Sequence, residues 1–367
     1  MALIALDGRK YFDFGIGTYI QQLVRSLSKL KTEHKFLLYV TPSDVAAISL
    51  PPGWTMMEVG YPKYSVSEIG LLGLRAKRDK VDVFHEPHYT LPIAIGYRSI
   101  VTIHDIIHLR FPQLFNAFQR AYSYSMITHS LRTSRFIIAD SEFTKNDILR
   151  SFRLSPEKIR VIHLGVGEQY RPLRDHGRIR EFSKRFGIQR PYALYVGNVK
   201  PHKGIDTLLS AFAQIQLKED LDLVIVGGSI VQDRNLGVQA AELGILSRIK
   251  ELGHLNEYDL VTAYNAAELL VMPSRYEGFG LPALEAMACG CPVVVSNAAS
   301  LPEIVGDAAM VFRAGNSQEL ADMLLRLIKE RTLRTQMIRK GRKQAARYTW
   351  GQTATQTLDI YEHIIRH

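Results

Sequence analysis

The sequence predicts an α/β protein with two parallel, doubly wound sheets, one in each half of the chain. Three observations carry this expectation. Short runs rich in β-branched and aromatic residues alternate with helical or loop segments, which is the pattern of βαβ units rather than of hairpins. Several of these runs feed directly into a glycine-bearing loop and then a helix start. At 367 residues, with 46% hydrophobic and 22% charged residues, the chain has a globular composition and exceeds one ordinary core, so two domains are expected.

In chain order, residues 2–6 read as a buried strand and residues 7–17 as a loop holding Gly15 and Gly17. A helix is expected over 18–30, where Tyr19, Leu23, Leu27 and Leu30 fall at helical spacing. Glycines between a strand and a helix let backbone approach a ligand, but the spacing is not the G-x-G-x-x-G of dinucleotide folds, and a plain turn competes. Further strands are expected at 36–40, 81–84, 99–103 and 135–139. Two of them lead into histidines: His85 and His88 after Phe84, and His104 and His108, with Asp105, after Ile103. Carboxyl ends of strands are where open α/β sheets gather ligands. A satisfied core histidine is the alternative at each position, and a zinc site lacks further ligands at a usual spacing. Ser141 reads as a helix cap. A strand at 159–162 is followed by a polar, Arg-rich stretch, and residues 171–190 read as a linker.

The second half opens with a strand at 192–196 and a basic loop holding Asn198, Lys200, His202 and Lys203. A helix follows from 205 to about 217, so Lys203 places an ammonium group beside a helix N-terminus, where anions bind. Strands at 221–226, 249–253, 268–272 and 291–295 and helices at 258–267, from 317 and from 349 complete the pattern. The most informative stretch is SRYEGFGLPALEAMACGCP at 274–292. Gly278, Phe279, Gly280 and Leu281 make a loop after a strand, and Pro282 suits the first turn of a helix, where its missing N–H has no intrahelical partner to lose. Glu277 lies in the loop and Glu285 about one turn into the helix. On one continuous helix they would be rotated by roughly 80°; the loop lets both carboxylates face one cavity and accept hydrogen bonds from sugar or ribose hydroxyls. A structural turn with two solvated glutamates is the alternative.

This segment resembles the signature of the retaining glycosyltransferases of family four, two glutamates with Gly-Phe-Gly-Leu-Pro between them. TIHDIIHLRFP around His104 is similar to the family's histidine motif, and Gly-Ile-Gly at 15–17 to its N-terminal glycine loop. The lysine loop and the final helix also occur at matching places, so the resemblance covers nearly the whole chain. It implies a GT-B architecture of two Rossmann-like domains facing across a cleft. The expected boundaries are 1–170 for an acceptor-side domain, 171–190 for the linker, 191–348 for a nucleotide-sugar domain, and 349–367 for a helix crossing back to the first. The implied reaction moves a hexose from a nucleotide sugar to a glycan or lipid-linked acceptor with retention, and the motifs lean toward mannose from GDP-mannose. Implied catalytic residues are His104 and Glu277, orienting the sugar, and Lys203, on the diphosphate. Implied donor-binding residues are Gly15, Gly17, Asn198, Gly278, Phe279, Gly280, Leu281 and Glu285, the last on the ribose. Asn198 stands where the family most often has arginine, which leaves Lys203 as the main diphosphate cation.

No protein nucleophile for double displacement is identifiable, so the resemblance implies front-face attack with the leaving phosphate as base. No Asp-x-Asp motif stands out, and neither a metal nor a cofactor is expected. UDP-glucose or UDP-N-acetylglucosamine as donor, a sugar-nucleotide epimerase, an NAD-dependent oxidoreductase and a non-catalytic saccharide-binding protein are the competing readings.

The net charge of +10 calls for an anionic partner. Residues 110–190 hold sixteen Lys and Arg against seven Asp and Glu, which suggests peripheral contact with an anionic membrane, with a plain solvated surface as the alternative. Nucleic acid is not expected, because no helix-turn-helix, zinc-finger or aromatic-interleaved signature occurs. Cys289 and Cys291 are too few and too close for a disulfide framework or a zinc site. The first residues do not read as a signal peptide, and no apolar run approaches the roughly 18 residues of a membrane span. A soluble cytoplasmic protein, with contact at the inner face of the membrane, is therefore expected.

Overall fold

The computed structural model of the protein describes residues 1–367 other than 62, 64, 97 and 217, and of 66–68 the backbone alone. Among the described residues, thirteen strands form two sheets in which every pairing is parallel. The first sheet contains β1 Leu3–Asp7, β2 Lys35–Val40, β3 Trp54–Glu58, β4 Val83–Glu86, β5 Ser99–Ile103, β6 Phe136–Ala139 and β7 Ile159–Val161, in the order β3-β2-β1-β4-β5-β6-β7. The second contains β8 Tyr192–Val196, β9 Asp222–Val226, β10 Ile249–Glu251, β11 Leu269–Met272, β12 Val293–Ser296 and β13 Met310–Phe312, in the order β10-β9-β8-β11-β12-β13. Both follow the doubly wound order in which the direction of strand addition reverses once, between β1 and β4 and between β8 and β11. The strand ends beside such a reversal leave a crevice where ligands bind.

The chain divides into two compact units. One is Met1–Gly165 together with Thr349–His367, and the other is Val166–Tyr348. Helices cover both faces of each sheet, so central strands such as β6 and β12 are buried at every residue and read as continuous apolar runs. The final helix, Trp350–Arg366, belongs to the first unit. Thr349 caps it through the Gln352 amide at 3.2 Å, the Thr353 hydroxyl donates to the His163 carbonyl at 2.8 Å, and buried Trp350 and Tyr361 dock it.

Three expectations change. Residues 171–190 are not a bare linker: they hold the helix His176–Arg185, which lies inside the second unit. Asp175 caps it, Phe182 is buried, and Arg178 bonds Thr262 at 2.7 Å while its guanidinium lies 3.4 Å from the centre of the Tyr258 ring. One buried apolar residue among four Lys and Arg side chains hides such a helix from periodicity. The first helix spans Phe14–Leu27, so Gly15 and Gly17 lie in its opening turn rather than in a loop. Low glycine propensity pushed the expected start later, but the Gly17 amide bonds the Asp13 carbonyl at 2.8 Å and continues the turn. The helix expected over 205–217 ends at Ile215, and residue 217 lies outside the described residues.

Several side chains of the basic stretch at 110–190 are engaged within the protein. Arg110 pairs with Asp147, Arg185 with Asp259, and Arg190 with Asp220 and Asp222. Among the described residues, no helix is long and apolar enough to cross a membrane.

Candidate functional site

In the second unit the loops after β8 and β11, the two strands flanking the reversal, are laced together. After β8 the chain makes a short turn at Pro201–Lys203 and enters the helix Ile205–Ile215 through Gly204, which is left-handed at φ 69°. A Cβ at Gly204 would overlap the Pro273 carbonyl, so the two loops approach as closely as glycine permits. Arg275 joins them further: its amide donates to the His202 carbonyl at 2.7 Å, and its guanidinium reaches the Pro201 carbonyl at 2.9 Å and Asp206 at 2.5 Å.

Within this frame the Lys203 ammonium donates to Glu277 Oε1 at 2.7 Å, and the Ser274 hydroxyl donates to the same oxygen at 2.8 Å. The pair is neither buried nor free in water, with side-chain exposures of 18% and 13%. Downstream, the Ser300 hydroxyl lies 3.0 Å from both the Glu277 and Phe279 carbonyls and pins the Glu277–Phe279 turn. Gly280 is left-handed at φ 103°, and the helix Leu281–Cys289 follows with Pro282 in its first turn. At this helix start the Ala283 amide donates back to the Gly280 carbonyl at 3.0 Å and Pro282 carries no N–H, so an anion approaching this end would meet the Leu281 amide. Asn198 is exposed in the loop after β8, its carbonyl accepting from the Tyr195 hydroxyl at 2.8 Å.

Glu285 faces a different set of partners. It is buried in the second turn of the helix Leu281–Cys289, and Tyr264, on the helix Glu257–Ala266, donates to its Oε2 at 2.8 Å. The Tyr170 ring meets the Tyr264 ring edge-on at 5.9 Å between centres. Burial pushes the Glu285 carboxyl up to about 7, against the opposing hydrogen bonds of Tyr264 and Tyr170.

In the first unit, His104 and Asp140 follow the neighbouring strands β5 and β6, whose register aligns Ile103 with Ala139. His104 Nδ1 lies 2.6 Å from Asp140 and Nε2 lies 3.1 Å from the Pro87 carbonyl. Both partners are acceptors, so the geometry suits a ring carrying two N–H groups. Burial disfavours that cation, but the charge and hydrogen bond of Asp140, with Asp105 and the Pro87 carbonyl, outweigh it and raise the pKa. The Tyr19 ring meets the His104 ring edge-on at 5.1 Å.

His85 is the satisfied core histidine of the alternatives. It bridges the Tyr361 hydroxyl at 2.6 Å and the Thr102 hydroxyl at 2.7 Å, and burial, then the nearby His104 charge, push it down to about 3. His88 is buried against the Tyr89 ring and His108 sits between Tyr89 and Phe115. Ser141 caps the helix Glu142–Ser151 through the Thr144 amide at 3.1 Å.

Sequence reasoning therefore named Lys203 and Glu277, which the structure pairs, and His104, whose environment it defines. It missed Asp140, Ser274, Ser300 and Tyr264. Asp140 and Ser274 follow strand ends and were findable by that rule; Ser300 and Tyr264 lie more than 20 residues from the groups they bond.

The family model described as "Glycosyltransferase Family 4" matches residues 15–170, and the one described as "Glycosyl transferases group 1" matches residues 178–344. The O-antigen chain mannosyltransferase B of Escherichia coli is 32% identical over 290 residues, covering 78% of this chain and 76% of the relative. The MMP alpha-(1->4)-mannosyltransferase of Mycolicibacterium hassiacum is 30% identical over 345 residues, covering 88% and 81%. Among solved structures, Anabaena HepE in complex with UDP and glucose superposes with a TM-score of 0.79 at 18% identity, over 99% of this chain and 100% of that one. Relatives of this identity and coverage, on a fold of two Rossmann-like parallel-sheet units, establish that the chain is a glycosyltransferase of family 4 with the GT-B architecture.

Proposed function

We propose that the protein transfers mannose from GDP-mannose to a hydroxyl of a glycan or lipid-linked acceptor, with retention of anomeric configuration. The observation that carries this reading is the Lys203–Glu277 pair at the sheet reversal of the second unit, in a chain whose two relatives above are named as mannosyltransferases. Departure of the nucleoside diphosphate builds negative charge on the phosphate and positive character at the anomeric carbon. Lys203 and the amides of Gly278, Phe279, Gly280 and Leu281 are assigned to the first, where one preorganised donor is commonly worth about 10²–10³ in rate. Glu277 and His104 are assigned to the transferred sugar and Glu285 to the ribose hydroxyls. Gly15, Gly17 and Asn198 complete the assigned donor contacts.

The mechanism adopted is front-face attack, with the leaving phosphate taking the acceptor proton, and no metal or cofactor is assigned a step. A panel of nucleotide sugars with a mannan-type acceptor tests the donor. GDP release from GDP-mannose and an α-linked product, read by NMR, are expected. UDP release from UDP-glucose, with GDP-mannose untouched, would replace mannose by glucose in this assignment. Conversion of the donor to an isomer without an acceptor would instead mark an epimerase.

A further inference from the structure

Glu285 is a carboxylate in an unusual place for a group that would accept hydrogen bonds from ribose, because its own surroundings are mostly protein. Its Oε2 takes the Tyr264 hydroxyl at 2.8 Å, and Tyr264 is itself fully buried, with the Tyr170 ring packed edge-on against it. Three segments of the second unit thus converge on one carboxyl: the helix Leu281–Cys289, the helix Glu257–Ala266, and the stretch that precedes the helix His176–Arg185. A carboxylate anchored through one oxygen keeps the other oriented, which a freely rotating glutamate does not.

We propose that Tyr264, supported by Tyr170, is a positioning residue that fixes the orientation and charge of Glu285 and so makes nucleotide-sugar binding depend on pH around neutrality. The inference rests on the donor reading above and adds to it a residue and a regulation. Ribose hydroxyls donate to a carboxylate more strongly than to a neutral acid. Burial raises Glu285 to about 7 while the two tyrosine hydroxyls pull it down, so the ionised, binding-competent form gains as pH rises through neutrality. The other groups that bear on this charge are Glu257 from the helix Glu257–Ala266, which favours the proton, and Cys289, one turn beyond Glu285 on the helix Leu281–Cys289, which Arg178 of the helix His176–Arg185 faces in turn. The helix Arg331–Ala345 packs on the opposite side, with Gly341 against Met287.

The test is the dissociation constant of GDP-mannose, and of GDP alone, by calorimetry from pH 5.5 to 9 for the wild type, Tyr264→Phe, Tyr170→Phe and Glu285→Gln. The wild type is expected to bind more tightly as pH rises through about 7. Removing the Tyr264 hydroxyl is expected to move that midpoint up by about one unit, roughly fivefold weaker binding at neutral pH, with the difference closing at pH 9. Tyr170→Phe is expected to show a smaller shift of the same sign, and Glu285→Gln to lose the step near 7. A Tyr264→Phe profile offset equally at every pH, or superposed on the wild type, would overturn the positioning role. If the wild type binds neither GDP nor GDP-mannose at any pH, the donor reading falls, and this inference with it.

Discussion

Asp7 and Arg9 show how much of this chain's chemistry is decided by single buried charges. Both are essentially inaccessible, at 2% and 0% exposure, and they meet at 2.5 Å with a second bond at 2.9 Å. Burial alone would raise the Asp7 carboxyl, but Arg9, with Lys10 behind it, brings it down to about 2. The stability this adds is present above the ordinary carboxylate range near 3.8 and is lost as pH falls toward 2. Such a pair is worth little more than an apolar replacement of both partners, yet removing one leaves an uncompensated charge. Arg9→Met is therefore expected to lose about 3–5 kcal/mol in urea denaturation, and the Asp7→Leu, Arg9→Met double variant to regain most of it. Equal stabilities for the single and double variants would contradict this. The pair sits at the end of β1, beside the reversal of the first sheet, which ties a local electrostatic fact to the place where that unit's loops begin.

At the scale of elements, the loops are fixed by a few backbone positions and the strands by continuous apolar runs. Gly280 combines φ 103° with a position where a Cβ would lie 2.7 Å from Leu301 Cδ2. Gly280→Ala is expected to cost about 1–3 kcal/mol and to weaken donor binding, because the strained turn sets the first amides of the helix Leu281–Cys289. Unchanged stability, measured by thermal unfolding, would mean that the turn relaxes freely. The same contrast explains what was legible in advance. β1, β5, β8 and β11 stand out because burial on both faces demands unbroken apolar sequence. The edge strands β3 and β13 were missed: their residues are mostly half-exposed, so Trp54–Glu58 and Met310–Phe312 carry no clear run. The helix His176–Arg185 was missed because its stability comes from Arg178 and Arg185 reaching a partner helix, a contact that local pattern does not encode.

For the whole molecule, the two sheets share one winding order, and the strongest sequence signals fall at their strand ends. Lys203 and Glu277 were visible because each lies in a glycine-bearing loop after an apolar run. Their pairing was not, since it depends on β8 and β11 being neighbours although they are separated by β9 and β10 in sequence. Tyr264 carries no signal of its own in the sequence, and its role follows from the bond it makes to Glu285 across two helices. The final helix was legible as a helix, and its membership of the first unit follows from contacts such as Tyr361 to His85, 276 residues apart.

The central claim is that the Lys203–Glu277 pair is the donor site of the transferase. Acceptor-dependent GDP release from GDP-mannose by Lys203→Ala and Glu277→Ala, each first shown to be folded by circular dichroism and thermal unfolding, tests it most directly. Turnover at least about 10²-fold below wild type is predicted for both, whereas near-wild-type turnover by either folded variant would contradict the assignment.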